Sequence, residues 1–125
     1  SASLVGSEMC IRDSYIPPYE YYNKEISAWA KNMGIQVINY TPGTMSNADY
    51  TTPDMGQKYR SSKFIYDKIM EVEKKEGLNG HLMLMHFGTD DRRTDKFYNG
   101  YLDKMIKTLK RKGYTFVPVR EAVGI

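Results

Sequence analysis

Cysteine is nearly absent from this chain of 125 residues. Cys10 is the only one, so no disulfide within the chain and no paired CxxC site can form. Histidine is equally sparse, with only His81 and His86. Glycine-rich phosphate loops are missing. No apolar run approaches the roughly 20 residues that a bilayer-spanning helix needs, so no transmembrane segment is expected. Neither sign of charge dominates, the net value being +3. Its densest source, Lys107, Lys110, Arg111 and Lys112, falls where a helix should end. Cations there complement the helix dipole, so these residues read as a solvated terminus and no nucleic-acid partner is expected. What remains, 41% hydrophobic and 26% charged, has the balance of one small globular domain or a piece of a larger one.

The first fourteen residues have no clear helical or strand period. Leu4 to Asp13 (LVGSEMCIRD) reproduces one translated frame of a transposase sequencing adapter. We read residues 1–14 as a flexible, adapter-derived stretch, to be set aside as a fusion scar would be. Cys10 then belongs to the adapter, and the natural sequence is expected to start mid-domain at Tyr15.

From Tyr15 onward, helical and strand-like segments alternate. Asn23 is placed to cap a helix to about Met33, with Ile26, Trp29, Ala30 and Met33 on one face and Gly34 as the stop. Trp29 reads as core. Ile35–Tyr40 (IQVINY) reads as a buried strand between Gly34 and Pro42. A long loop over residues 41–60 follows, and loops of that length in compact domains are more often functional than idle. Ser61 or Ser62 opens a second helix to about Lys75, with Phe64, Ile65, Ile69 and Val72 apolar and Gly77 beyond. His81–His86 (HLMLMH) reads as a strand. Tyr98, Leu102, Met105, Ile106 and Leu109 mark a third helix over residues 96–112. Tyr114–Val119 reads as a last strand, and 120–122 as the start of a terminal turn. Such alternation predicts an α/β fold with a parallel sheet, flanked by helices and incomplete. An open sheet exposes an edge and apolar faces, so self-association is expected.

Ligands of parallel α/β folds gather beyond the C-terminal strand ends, here near Tyr40, near His86 and in the Tyr15–Tyr22 segment. Three segments in order carry a resemblance. Tyr15-Ile16-Pro17-Pro18-Tyr19 followed by Asn23 and a helix is similar to the R-P-P-Y…N segment of the polysaccharide deacetylases, carbohydrate esterase family four. The apolar run closing on His86 resembles that family's late strand ending L-x-H. Leu102 to Val119 (LDKMIKTLKRKGYTFVPV) resembles its closing helix and strand. Together they span nearly all of residues 15–125, which we read as the C-terminal part of such a domain.

The resemblance implies a distorted (β/α)7 barrel that removes N- or O-acetyl groups from a polysaccharide or oligosaccharide, secreted or at the cell envelope. It implies a divalent metal, often zinc, held by one aspartate and two histidines, with a second aspartate as base. Those residues belong to T-F-D-D and H-[ST]-x-x-H motifs, and neither occurs here. The isolated chain is therefore expected to hold no metal and to be inactive. In the intact protein, His86 matches the acid that protonates the leaving group. Tyr19 matches the residue whose backbone N–H stabilises the oxyanion. Leu84, on the same strand face as His86, would line the acetyl pocket with Pro18 and Tyr40. Tyr40 stands in for the family's aromatic wall, and Asp49 is the candidate carboxylate that tunes the histidine.

Ile16 departs from the pattern, standing where the family has an arginine that orients the catalytic aspartate. A carbohydrate-binding, non-catalytic relative is therefore the alternative. A glycosidase would need paired carboxylates, and no convincing pair is found. His81 reads as structural or exposed. Asp90, Asp91 and Asp95 read as helix caps and loop solubilisers before a cation site.

Overall fold

A computed structural model describes residues 14–124. The adapter-like stretch and Cys10 lie outside the described residues, except Ser14, which belongs to the first strand. The chain divides into two compact units, one comprising residues up to Asn39 together with those from Val117, the other Tyr40–Phe116.

The first unit is built on a crossover. Strand β1 (Ser14–Tyr15) pairs in parallel with β2 (Gln36–Val37), in the register Ser14 to Gln36 and Tyr15 to Val37. Parallel strands need a long connection, and helix α1 (Lys24–Asn32) supplies it. Asn23 caps α1 by accepting the Ile26 N–H at 2.8 Å. Gly34 then takes a φ of 73°, a conformation that costs a residue without Cβ little. Ala30 and Ile38 are buried, but Trp29 is 56% exposed, which corrects its reading as core. Nine residues of helix over a two-residue ladder leave too little apolar surface to enclose an indole. A groove of about 670 Å³ runs along β2, lined by Tyr22, Ser27, Lys31 and residues 34–39. The unit also contains a 3-10 turn (Pro18–Glu20) and α5 (Val119–Ala122).

The second unit is helical around one apolar cluster. Helix α2 (Ser62–Glu76) starts at Ser61, whose Oγ accepts the Phe64 N–H at 3.1 Å. It buries Ile65, Ile69 and Val72 against Leu78, Phe97, Met105 and Leu109. Phe64 is off that face and exposed, with the Arg60 guanidinium 5.3 Å from its ring centroid. The helix expected over residues 96–112 is two: α3 (Phe97–Gly100) and α4 (Leu102–Arg111), broken at Tyr101 with φ −115°. Tyr98 consequently leaves the apolar stripe and is exposed. Gly77 ends α2 at φ 78°, where a side chain would press on the Tyr114 hydroxyl at 3.4 Å. That hydroxyl accepts the Leu78 N–H at 2.9 Å and so ties the segment after α4 to the end of α2.

The protein is thus mixed helix and strand with a small parallel sheet, compatible with the α/β expectation, while the strands are far shorter than the apolar runs suggest. Residues 81–86 and 114–119 form no ladder among the described residues. Thr41 donates to the Leu82 carbonyl at 2.8 Å and its Oγ1 accepts the Leu82 N–H at 3.0 Å, a single clasp instead of a series. A strand is a paired object, and an apolar run without a neighbouring backbone stays irregular. Among the described residues no helix is long and apolar enough to cross a membrane.

Ile69, fully buried on α2, is expected to lose roughly 2–5 kcal/mol of stability on substitution by alanine. Trp29→Ala should change stability by about 0.5 kcal/mol or less. Urea unfolding of both variants checks this; a Trp29 variant as damaging as the Ile69 one would contradict the exposed placement.

Candidate functional site

The loop over residues 41–60 is where buried polar groups concentrate. Thr44, Ser46, Asp49, Thr51 and Thr52 are all buried. Such groups need hydrogen bonds, and the loop meets part of the need by coiling on itself, while the Ser46 hydroxyl is left without a partner among the described residues. Met45 adopts a left-handed φ of 60° and leads into a 3-10 turn, Ser46–Tyr50. Thr51 closes it, with its N–H donating to the Ala48 carbonyl at 3.1 Å and its hydroxyl to the same oxygen at 2.7 Å. A second 3-10 segment, Pro53–Lys58, follows.

That first turn presents Asp49 to His86. The carboxylate is 2% exposed and spends both oxygens on this one residue. Its Oδ2 accepts the His86 backbone N–H at 2.7 Å, and its Oδ1 lies 2.6 Å from His86 Nδ1. A carboxylate can only accept, so in the neutral ring Nδ1 carries the proton and Nε2 presents its lone pair. No hydrogen bond to Nε2 forms among the described residues, and the imidazole side chain is 36% exposed. Tyr50 meets the ring edge-on, with centroids 5.6 Å apart and planes at 73°. The result is an imidazole fixed in tautomer and orientation, with one nitrogen open to an incoming group. Such a group can donate or accept a proton at Nε2.

Of the other residues singled out from the sequence, Tyr40 and Leu84 lie in this same unit. Tyr40 accepts from the Asn47 side-chain amide at 3.3 Å, so it braces the turn that carries Asp49. Leu84 is half-buried, while its neighbours Met83 and Met85 pack against the apolar cluster. Pro18 and Tyr19 lie together in the 3-10 turn of the first unit. Tyr19 is 96% exposed and holds φ 54°, and Glu20 follows at φ 57°. A bulky residue in the left-handed region is an outlier, and such strain tends to cluster at functional sites. His81 is half-buried, its N–H donating to the Leu78 carbonyl. Tyr50, which touches the His86 ring, and Arg93, which bonds Thr51 at the end of the same turn, carry no sequence signal that singles them out.

The acidic loop after His86 divides its labour. Asp95 caps a distant helix, Oδ2 accepting the Ser62 N–H of α2 at 2.7 Å. Asp90 chelates Arg92, which bonds Oδ1 through Nε at 3.0 Å and Oδ2 through Nη2 at 2.8 Å. Arg92 also reaches Asp54 Oδ2 at 2.8 Å. The Arg92 bonds hold the Asp90 carboxyl well below the usual carboxylate range, and Asp90 in turn raises Arg92. Asp54 is lowered as well, first by the Thr52 hydroxyl that donates to it, then by its own backbone N–H and by Arg92. Among the described residues no three His, Cys, Asp or Glu side chains converge as a metal site. These residues alone therefore do not make the ligand set that the resemblance implies.

Three outcomes follow from this geometry. Asparagine at position 49 can accept the His86 N–H only through its oxygen, leaving its amide to donate to Nδ1. Asp49→Asn should therefore move the imidazole proton to Nε2, visible in long-range proton–nitrogen spectra; an unchanged Nδ1–H tautomer would contradict the pairing. Asp54 and Asp90 both titrate lower when folded than unfolded, so their stabilisation is present above about pH 4 and disappears as pH falls through the folded values. In Arg92→Ala the Asp90 carboxyl resonance should titrate closer to the ordinary aspartate value. No upward movement would refute the chelate.

Compared with protein-family models, with curated proteins and with solved structures, the chain matches none.

Proposed function

We propose that the chain supplies the proton-donating and substrate-contacting side of a polysaccharide deacetylase site, with His86 as general acid and Asp49 as its orienting partner. The observation that carries this reading is the 2.6 Å contact between His86 Nδ1 and the buried Asp49 carboxylate. It rests also on the similarity of the PPY segment, the run closing on His86 and the KGYTFV closure to that family.

Hydrolysis of an acetyl amide or ester adds water to the carbonyl carbon and then breaks the bond to the sugar nitrogen or oxygen. The departing amine or alcohol needs a proton as that bond breaks. The protonated ring delivers it from Nε2, while Nδ1–H stays bonded to Asp49, which keeps the ring from turning away. Tyr50 limits the ring from its edge. Leu84 is the candidate for contact with the acetyl methyl, and Tyr40 keeps the Asp49 turn in place. Tyr19 belongs to the first unit, and its role as the residue whose backbone N–H binds the oxyanion rests on the resemblance alone. The metal of the family has no ligand set among the described residues, so no step is routed through it.

Ile16, in place of the family's arginine, favours a second reading, in which the parent protein binds acetylated carbohydrate without cleaving it.

An acetylated chitooligosaccharide or xylooligosaccharide titrated into the labelled chain should shift the His86, Tyr50 and Leu84 resonances, and its deacetylated counterpart should shift them less. No response to either sugar would sink both readings. The chain alone should release little or no acetate, and release abolished by a chelator would show that it assembles a metal site after all.

A further inference from the structure

Arg92 and Arg93 are adjacent in sequence and meet opposite fates. Arg92 is exposed and paired with two carboxylates. Arg93 is fully buried and has no ion-pair partner among the described residues. Burying a guanidinium is costly unless its N–H groups are bonded. Arg93 meets the cost with neutral acceptors. Nη1 donates to the Thr51 carbonyl at 2.6 Å, to Thr51 Oγ1 at 3.4 Å and to the Arg60 carbonyl at 2.9 Å. Nη2 donates to Ser62 Oγ at 3.1 Å, and the Tyr59 ring lies 5.6 Å from the guanidinium carbon. Nε alone is left without a partner.

Two of those four contacts fall on Thr51, the residue that closes the Ser46–Tyr50 turn. The Thr51 hydroxyl and N–H both donate to the carbonyl of Ala48, one residue before Asp49. The mechanical line is short: guanidinium, Thr51, turn, carboxylate, imidazole. We propose that Arg93 is a positioning residue for His86, clamping Thr51 so that Asp49 holds both the backbone N–H and Nδ1 of His86. The inference rests on the reading of Asp49 and His86 as the working pair and deepens it. Arg60 N–H also bonds Thr51 Oγ1, at 3.0 Å, so the clamp has two arms, with Arg93 holding the carbonyl.

A purely structural arginine would lower stability everywhere alike, whereas a positioning arginine changes His86 first. Amide exchange separates the two, read on the whole chain at His86 and at the core amides of Ile69 and Leu109. In Arg93→Met, exchange at the His86 N–H should rise about tenfold or more relative to those core amides. The Nδ1 proton signal of His86 should broaden or vanish at the same time. Arg93→Lys, which keeps the charge with fewer reachable acceptors, should give an intermediate effect. Ser62→Ala removes the Nη2 contact together with the bond from the Ser62 hydroxyl to the Asp95 carbonyl but spares the Thr51 contacts, so His86 should keep its parental behaviour.

His86 unchanged relative to the core in folded Arg93→Met overturns the inference. So does a Ser62→Ala effect as large as that of Arg93→Met, or the failure of both Arg93 variants to fold, which would mark a structural residue. Because the readout is the imidazole and not acetate or sugar, failure of the carbohydrate reading would leave this result standing on its own.

Discussion

A positive charge enclosed without a counter-ion organises the second unit. Arg93 gathers the Thr51 and Arg60 carbonyls and the Ser62 hydroxyl around one guanidinium, and thereby brings together three points of the chain. Each acceptor is a dipole, and several dipoles turned to one charge replace the hydration the group has lost. A buried donor left without its acceptor costs more than the bond contributed, and among the Arg93 nitrogens only Nε is in that position. The neighbouring loop is constrained with it. Asp95, two residues on, fastens the first N–H of α2, so the loop after His86 and the start of α2 are joined twice. The long segment from Thr41 to Arg60 is consequently a folded part of the unit, although it contains no α-helix and no strand.

The unit has two kinds of interior. One is the apolar cluster of Ile65, Ile69, Val72, Leu78, Phe97, Met105 and Leu109, non-directional and dependent on area and fit. The other is polar, made of Thr44, Ser46, Asp49, Thr51, Thr52, Ser62 and Arg93, and dependent on geometry at every contact. The His86–Asp49 pair belongs to the second kind. A residue that must present one ring nitrogen in a fixed direction gains from that setting, because directional bonds fix orientation where an apolar cluster fixes only position. Tyr40 and Tyr50 act from either end of the same turn, one through Asn47 and one on the ring itself.

Much of the helical architecture was legible from local chemistry. Asn23 and Ser61 do cap their helices, and Gly34 and Gly77 do end them with positive φ. These signals act within four residues, so nothing distant can easily overrule them. The strands were less legible. HLMLMH and YTFVPV have the composition of buried strands, yet pairing requires a second backbone that composition does not announce. Trp29 misled for a related reason: its spacing placed it on the face of Ala30, but burial depends on how much surface there is to cover it. Position 101 was unreadable too, since the apolar stripe runs on past the break between α3 and α4.

By itself, the sequence determined that helices would open near Asn23 and Ser61 and stop at Gly34 and Gly77. Each follows from residue type and short-range spacing. Only the tertiary structure decided that Asp49 and His86, 37 residues apart, meet through two hydrogen bonds on one carboxylate. It likewise decided which of two adjacent arginines goes inside. Arg92 and Arg93 have the same side chain and the same propensities. Their difference lies in where carboxylates and carbonyls sit after folding, and a linear sequence does not hold that information in any local form.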